Sequence, residues 1–288
     1  MKKITIIGTG YVGLVSGAGL AEFGHNVSCV DIDQEKIKNL NNGQIPIYEP
    51  GLDIIVKNNT REGRLTFSSN IEKNIQEAKI IFIAVGTPQD EKGIADLTAV
   101  KSVVTLIADN LNNYKIICTK STVPVGTGKW IESEIKSRAS NDNFDYVSNP
   151  EFLREGAAVN DFLYPDRIVI GSLSEKAYSE MREIYRPLYI NKTPIIETSV
   201  ETAEMIKYAS NSFLALKISY INEIANLCEA VGADIHQVAR AMGQDGRISS
   251  KFLHPGPGFG GSCFPKDLEA LYNLGKEKNI DLNTVSAT

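Results

Sequence analysis

The chain has 288 residues, 42% of them hydrophobic and 23% charged, with a net charge of -5, enough apolar material for two domains with cores of their own. The acidic balance, without a stripe of lysine and arginine, excludes a general nucleic-acid binder. Four separated cysteines without a CxxC pair and three scattered histidines offer neither a disulfide frame nor a metal cluster, and fit reduced thiols in a cytoplasm.

The start, Met1 to Gly8, runs into a short apolar strand and meets glycine before a signal-peptide core can form; no later segment is long and apolar enough for a bilayer. From Lys3 to about Ile196, β-branched runs alternate with helical stretches. Ile4–Ile7, Val27–Val30, Ile80–Val85, Ile116–Thr119, Tyr146–Ser148 and Ile168–Ile170 read as strands. That alternation predicts a mainly parallel sheet covered by helices. Runs without polar alternation, such as Ile80–Val85, belong at its centre, buried on both faces.

Gly8-Thr9-Gly10-Tyr11-Val12-Gly13 follows the first strand and opens a helix, and Asp31 ends the second strand, the context that a dinucleotide-binding βαβ unit requires. Gly8 permits the turn, Gly10 the close approach of a pyrophosphate, and Gly13 the packing of helix on strand. Asp31 can accept from ribose hydroxyls and would repel a 2′-phosphate, so NAD is expected rather than NADP. Lys36 either touches the cofactor or is solvated. Thr87 in Gly86-Thr87-Pro88 and Thr122 in Ser121-Thr122-Val123-Pro124 stand at further strand ends; their hydroxyls either bond nicotinamide or substrate, or serve the turns. Glu151-Phe152-Leu153-Arg154-Glu155-Gly156 follows Asn149-Pro150. As a helix it would set two carboxylates on one face, each a base, a water-holder or an exposed charge.

After Ile196, Ser199 to about Val231 reads as one long helix, capped by Thr198 or Ser199 and ended by Gly232. Its apolar positions include Met205, Ile206, Ala209, Phe213, Leu216, Ile221, Ile224 and Leu227, a surplus that predicts packing on a second chain. Lys207 and Asn211, four apart, share a face. Together they could hold a substrate hydroxyl and its developing charge, or the lysine is an exposed charge. The fold expected is α/β: a Rossmann-like doubly wound sheet over residues 1–198, then an all-helical domain over 199–288 built on the long helix.

Gly260-Gly261-Ser262-Cys263-Phe264-Pro265-Lys266-Asp267 presents a thiol on a glycine-rich turn just before a helix. Pro265 suits the first turn, so Cys263 lies near the N-cap, where unpaired N–H groups, the helix dipole and Lys266 favour a thiolate. The alternative is a small buried apolar residue. Asp267, one turn on, either orients water or complements the helix N-terminus. A nicotinamide fold together with a nucleophilic cysteine allows more than hydride transfer: a captured aldehyde becomes a hemithioacetal, then a thioester, then an acid.

In GTGYVGLVSG, YEPGLD, GTPQD, STVPVGT, NPEFLREGAAVNDF, PDRIVIG, Arg247-Ile248 with Phe252-Leu253, and PGPGFGGSCFPKD, the chain resembles the nucleotide-sugar 6-dehydrogenases, the UDP-glucose/GDP-mannose dehydrogenase family, on the UDP-glucose side. The resemblance implies oxidation of UDP-glucose to UDP-glucuronate with two NAD. Cys263 would be the nucleophile, Lys207 and Asp267 would assist proton transfer and water activation, and Asn211, Thr122 and Glu151 would position the reacting groups. Glu151, Phe152, Leu153, Arg154 and Glu155 would line the sugar site, while Phe252, Leu253, His254, Pro255, Gly256 and Gly260 wrap the substrate. The cofactor would meet the glycine turn with Tyr11 and Val12, then Asp31, Lys36, Thr87, Thr122, Glu155 and Lys266. A homodimer through the long helix, with Arg247 reaching the partner's site, is also implied. GDP-mannose 6-dehydrogenase by the same thiol mechanism is one competing expectation; the other, because the sequence stops at Thr288 before the C-terminal domain that in this family covers the nucleotide, is a non-catalytic NAD-binding dimer.

Overall fold

The computed structural model describes residues 1–90, 93–139 and 142–288. In chain order the elements are β1 (Lys3–Ile7), α1 (Tyr11–Glu22), β2 (Asn26–Val30), α2 (Gln34–Asn41), α3 (Leu52–Arg61), β3 (Leu65–Ser68), α4 (Ile71–Glu77), β4 (Ile80–Ile83), α5 (Thr98–Asp109) and β5 (Lys115–Thr119). They continue with α6 (Thr127–Arg138), β6 (Phe144–Ser148), α7 (Ala158–Leu163), β7 (Ile168–Gly171), α8 (Glu175–Ile184), a 3-10 helix at Arg186–Asn191, β8 (Ile195–Thr198), α9 (Val200–Val231), α10 (Ile235–Gln244), α11 (Phe264–Glu277) and α12 (Asn283–Ala287).

The strands form one eight-stranded sheet in the order β3-β2-β1-β4-β5-β6-β7-β8. All neighbours are parallel except β6 and β7. The order reverses between β1 and β4, and in a doubly wound sheet the crevice beyond the carboxyl ends at that point receives the ligand. β4 and β5 are buried along their whole length, because helices cover both faces of a parallel sheet and leave no side for polar residues. One apolar cluster, with Leu14, Phe82 and Phe162, packs on one face; another, with Ile81, Ile107 and Ile131, packs on the other.

Two strands escape the sequence reading, β3 and β8. Both lie at sheet edges and half of each faces outward, so Leu65-Thr66-Phe67-Ser68 and Ile195-Ile196-Glu197-Thr198 lack the continuous apolar run that marks the central strands. β4 ends at Ile83, two residues short of the expected Val85.

Two compact units divide the chain: residues 1–87 with 96–204, which hold the sheet, and residues 88–95 with 205–288. In the second unit Ile221, Ala239 and Leu253 form a small apolar centre. α9 begins where expected: Ser199 Oγ accepts the Thr202 N–H at 3.2 Å, and Gly232 leaves the helix at a φ of 75°. Its buried face mixes polar and apolar side chains: Glu204, Lys207 and Asn211 lie there with Ala203, Tyr208, Ala215 and Ile221, whereas Phe213 and Leu227 are 61% and 58% exposed. No helix among the described residues is long and apolar enough to cross a membrane.

Candidate functional site

At the carboxyl end of β1, Gly8 has a φ of 105°, and a Cβ there would stand 2.6 Å from the carbonyl oxygen of Ala84 just past β4. At Gly13 a Cβ would overlap the carbonyl oxygen of Gly8. These two positions need glycine for packing alone. Gly10 differs: it is the N-cap of α1, its φ of -73° suits any residue, and nothing lies within 4 Å of where a Cβ would be. Open space directly over a helix N-terminus fits a dinucleotide's pyrophosphate. Tyr11 and Val12, half-buried, form the first turn beneath it.

Asp31 closes this half of the site. Its Oδ2 accepts the Thr9 N–H at 2.9 Å, the Thr9 hydroxyl at 2.7 Å and the Lys36 ammonium at 3.2 Å, and its Oδ1 accepts the Asp33 N–H at 3.1 Å. Burial alone would raise the carboxyl, but the Thr9, Asp33 and Lys36 donors outweigh it and hold the pKa below the usual carboxylate range. An anion fixed at the end of β2 suits free ribose hydroxyls and opposes a 2′-phosphate. Lys36 is therefore paired, not merely solvated, and Thr9, an unassigned residue inside the glycine motif, orients the aspartate.

Thr87 is buried, and its hydroxyl donates to the Thr122 carbonyl at 2.8 Å; that proton ties the loop after β4 to the loop after β5. Thr122 itself is half-buried. The stretch from Glu151 to Arg154 takes no regular secondary structure and Glu155–Ala157 forms a turn, so the expected helix is absent. Two causes act locally. The Glu151 carboxylate folds back on the Leu153 N–H at 2.6 Å, and Gly156 takes a φ of 84° that continues no helix. Glu151 is buried while Arg154 and Glu155 are exposed, so the two carboxylates do not share a face. Arg154 pairs with Asp161 through two guanidinium bonds of 2.9 and 2.5 Å, and the Arg167 guanidinium lies 3.9 Å from the Phe152 ring centroid. Glu49, inside YEPGLD but given no role by the sequence reading, anchors this loop with bonds from the Gly156 N–H at 2.9 Å and the Ala158 N–H at 2.7 Å.

In the second unit Cys263 is the N-cap of α11, and Pro265 lies in the first turn. Asp267 is 1% exposed, its N–H bonds the Cys263 carbonyl at 2.9 Å, and its two oxygens take Asn211 Nδ2 at 2.6 Å and Lys266 Nζ at 2.9 Å. Lys207, one turn before Asn211 on α9, is also buried. Thiol, carboxylate, carboxamide and two amines thus gather on α9 and the start of α11. Cys263 is partly exposed, and the other cysteines are buried; burial pushes the Cys29 thiol up to about 12 and raises that of Cys118 as well. The segment before α11 is held by Asn222, whose Oδ1 accepts the Gly256 N–H at 2.8 Å, and by Phe252 and Phe259 around Phe264. Leu253 is buried, His254 and Gly260 are exposed, and Pro255 is intermediate. Arg247 is 90% exposed and pairs with Asp245. No group of three metal-ligating side chains occurs among the described residues.

Known proteins resemble the chain along its length. Residues 2–189 match the model of the NAD binding domain of the UDP-glucose/GDP-mannose dehydrogenase family, and residues 201–288 match that family's central domain. The chain is 54% identical over its whole length to UDP-glucose 6-dehydrogenase TuaD of Bacillus subtilis and 53% identical over 99% of its length to UDP-glucose 6-dehydrogenase of Rhizobium meliloti, spanning 62% and 66% of those proteins. A UDP-glucose dehydrogenase structure from Pyrobaculum islandicum superposes on all of it with a TM-score of 0.96 at 38% identity, the match covering 67% of that chain. Glycine turn, acidic strand end and cysteine-capped helix lie within matches that together run from residue 2 to residue 288, and the chain belongs to the UDP-glucose/GDP-mannose dehydrogenase family.

Proposed function

We propose that this chain carries the cofactor-binding and chemical portion of a UDP-glucose 6-dehydrogenase, with residues 1–198 as the NAD-binding part and 199–288 as the part for substrate chemistry and dimerisation. The observation that carries the reading is the buried Asn211–Asp267 pair one turn from the thiol of Cys263 on the same helix. A two-electron alcohol oxidation needs no thiol, whereas an oxidation carried through to the acid does.

Gly8, Gly10, Tyr11, Val12, Gly13 and Asp31 would hold NAD, with Thr87, Thr122, Glu155 and Lys266 toward its nicotinamide end, and two NAD bound in succession would each accept one hydride. Lys207 and Asn211 hold the C6 hydroxyl while its proton departs and the first hydride leaves C6 for the nicotinamide, giving the aldehyde. Cys263 Sγ adds to the aldehyde carbon, and the new C–S bond makes a hemithioacetal. Loss of the second hydride leaves a thioester. Water oriented by Asp267 and Glu151 breaks the C–S bond, returns the thiol and releases the acid. The balance is one alcohol, one water and two NAD in, and one carboxylate, two NADH and three protons out. Phe152, Leu153 and Arg154, together with Phe252, Leu253, His254, Pro255, Gly256 and Gly260, line the sugar nucleotide.

The exposed apolar row on α9 supports a homodimer, and Arg247, exposed although paired with Asp245, is the residue that would reach the partner's site. Cytoplasmic location agrees with partly exposed Cys263 remaining a free thiol. The test is the number of NADH formed per UDP-glucose consumed. Two support this reading, one reduces the protein to a simple alcohol dehydrogenase, and none leaves an NAD-binding dimeric module.

A further inference from the structure

Glu49 lies in the loop between α2 and α3, and only 5% of it is exposed. Its carboxylate receives donors from two other parts of the sheet-bearing unit. Oε1 takes the Ala158 N–H at 2.7 Å; Oε2 takes the Gly156 N–H at 2.9 Å and the Tyr11 hydroxyl. The first two donors end the Glu151–Gly156 loop and start α7. The third stands on the first residue of α1, immediately after Gly10. Tyr11 Oη is also 3.2 Å from the Arg154 carbonyl, but a hydroxyl has one proton, and the shorter contact to Glu49 takes it. A carboxylate that only capped α7 would need the two backbone donors. The tyrosine bond adds a mechanical connection between the glycine turn and the loop.

We propose that Glu49 is a positioning residue that couples dinucleotide binding at the glycine turn to the conformation of the Glu151–Gly156 loop, and through that loop to the affinity for the nucleotide sugar. The inference rests on the functional reading above, which sets the dinucleotide at α1 and the sugar at the loop. An anion docked over Gly10 holds the first turn of α1, and with it the tyrosine that Glu49 grips. Without the carboxylate, the Gly156 and Ala158 N–H groups turn to water and the loop loses its fixed end. Gly156, already at a φ of 84°, has the freedom to let it move. Coupling between two ligands is reciprocal, so each ligand tightens the other by the same factor.

The test is a pair of titrations of the whole protein, UDP-glucose with and without NAD and NAD with and without UDP-glucose, in wild type, Glu49→Gln and Tyr11→Phe. In wild type each ligand tightens the other on the order of 5-fold or more. In Glu49→Gln, NAD alone binds as before, the mutual tightening falls below about 2-fold, and the KM for UDP-glucose rises more than kcat falls. Tyr11→Phe keeps both backbone bonds to Glu49 and also loses the coupling; it carries the test if Glu49→Gln does not fold. Coupling retained in the folded variants overturns this inference and leaves the functional reading in place. A wild type that binds NAD without affinity for UDP-glucose overturns the functional reading and this inference with it.

Discussion

Asn211 Nδ2 donates to Asp267 Oδ2 across 2.6 Å, joining the middle of α9 to the first turn of α11, one turn beyond Cys263. Both side chains are buried, so the bond has little competition from water, and removing either partner strands the other at a cost of about 1–3 kcal/mol. Asp267→Asn separates structure from chemistry. Its carboxamide oxygen still accepts from Asn211, so the denaturation midpoint stays close to wild type. With the charge gone, kcat drops by about 10²-fold or more if the carboxylate orients water or moves a proton. An unchanged kcat limits Asp267 to a structural role.

Cys263 is the partly exposed thiol in a chain whose other cysteines are buried. Brief alkylation of the native protein therefore labels one site, and peptide mass mapping finds it at Cys263, because Cys29, pushed up to about 12, and the other buried thiols react only on unfolding. Cys263→Ser lowers acid formation by at least about 10³-fold and the NADH yield per sugar to one or fewer. Acid formed at the wild-type rate by the serine variant removes the thiol from the mechanism.

The glycine motif separates into packing and binding. Gly13→Ala sets a methyl on the Gly8 carbonyl oxygen and destabilises the fold by at least about 1–3 kcal/mol. Gly10→Ala meets no protein atom and keeps an ordinary φ, so the melting temperature holds while NAD affinity falls, the methyl occupying the space of the pyrophosphate. Thermal melting and NAD titration of both variants check this; a Gly10→Ala protein with wild-type affinity sets the pyrophosphate elsewhere.

The sequence makes this glycine turn legible because each of its requirements is local: strand, turn, helix and an acid at the next strand end. The central strands and α9 are legible for the same reason, since burial on two faces writes a continuous apolar run and a long helix repeats its pattern. β3 and β8 are not, because an edge strand is half solvated. Glu151–Gly156 reads as a helix until the Glu151 side chain's bond to Leu153 N–H and the turn at Gly156 are seen, and neither is a matter of propensity. Lys207 taken singly reads as an exposed charge, and only tertiary packing buries it. Glu49 stands in the motif YEPGLD, but its role is not legible there, its donors being contributed by Tyr11, Gly156 and Ala158.

Glu204, on the first turns of α9, is 3% exposed and accepts the Gly126 N–H at 2.7 Å and the Gly128 N–H at 2.8 Å at the start of α6. Burial pushes its carboxyl from 4.5 up to about 7, against the opposing pull of those two donors. A raised folded pKa means that the folded protein holds the proton more tightly than the unfolded chain. The stability this confers is complete below about pH 4.5 and is lost as pH rises through about 7. Denaturant unfolding from pH 5 to 8 therefore shows a decline on the order of 1–3 kcal/mol attributable to this group. Glu204→Gln keeps one acceptor for the glycine N–H groups and flattens the decline; equal slopes in the two proteins assign the pH dependence elsewhere.

Phe213, Tyr220 and Leu227 recur every seven residues along α9 and are 61%, 46% and 58% exposed, so they lie near one line on the helix surface. Their spacing matches the stripe along which two helices pack, and an apolar row left exposed on a helix whose other face is already buried suits a contact with a second chain. Phe213→Glu with Leu227→Glu sets like charges against each other in a self-complementary contact. Sedimentation velocity of wild type gives a dimer at micromolar concentration, and the double variant gives a monomer with an unchanged circular-dichroism spectrum. A wild type that sediments as a monomer, or a double variant that remains a dimer, moves the proposed interface off this face of α9.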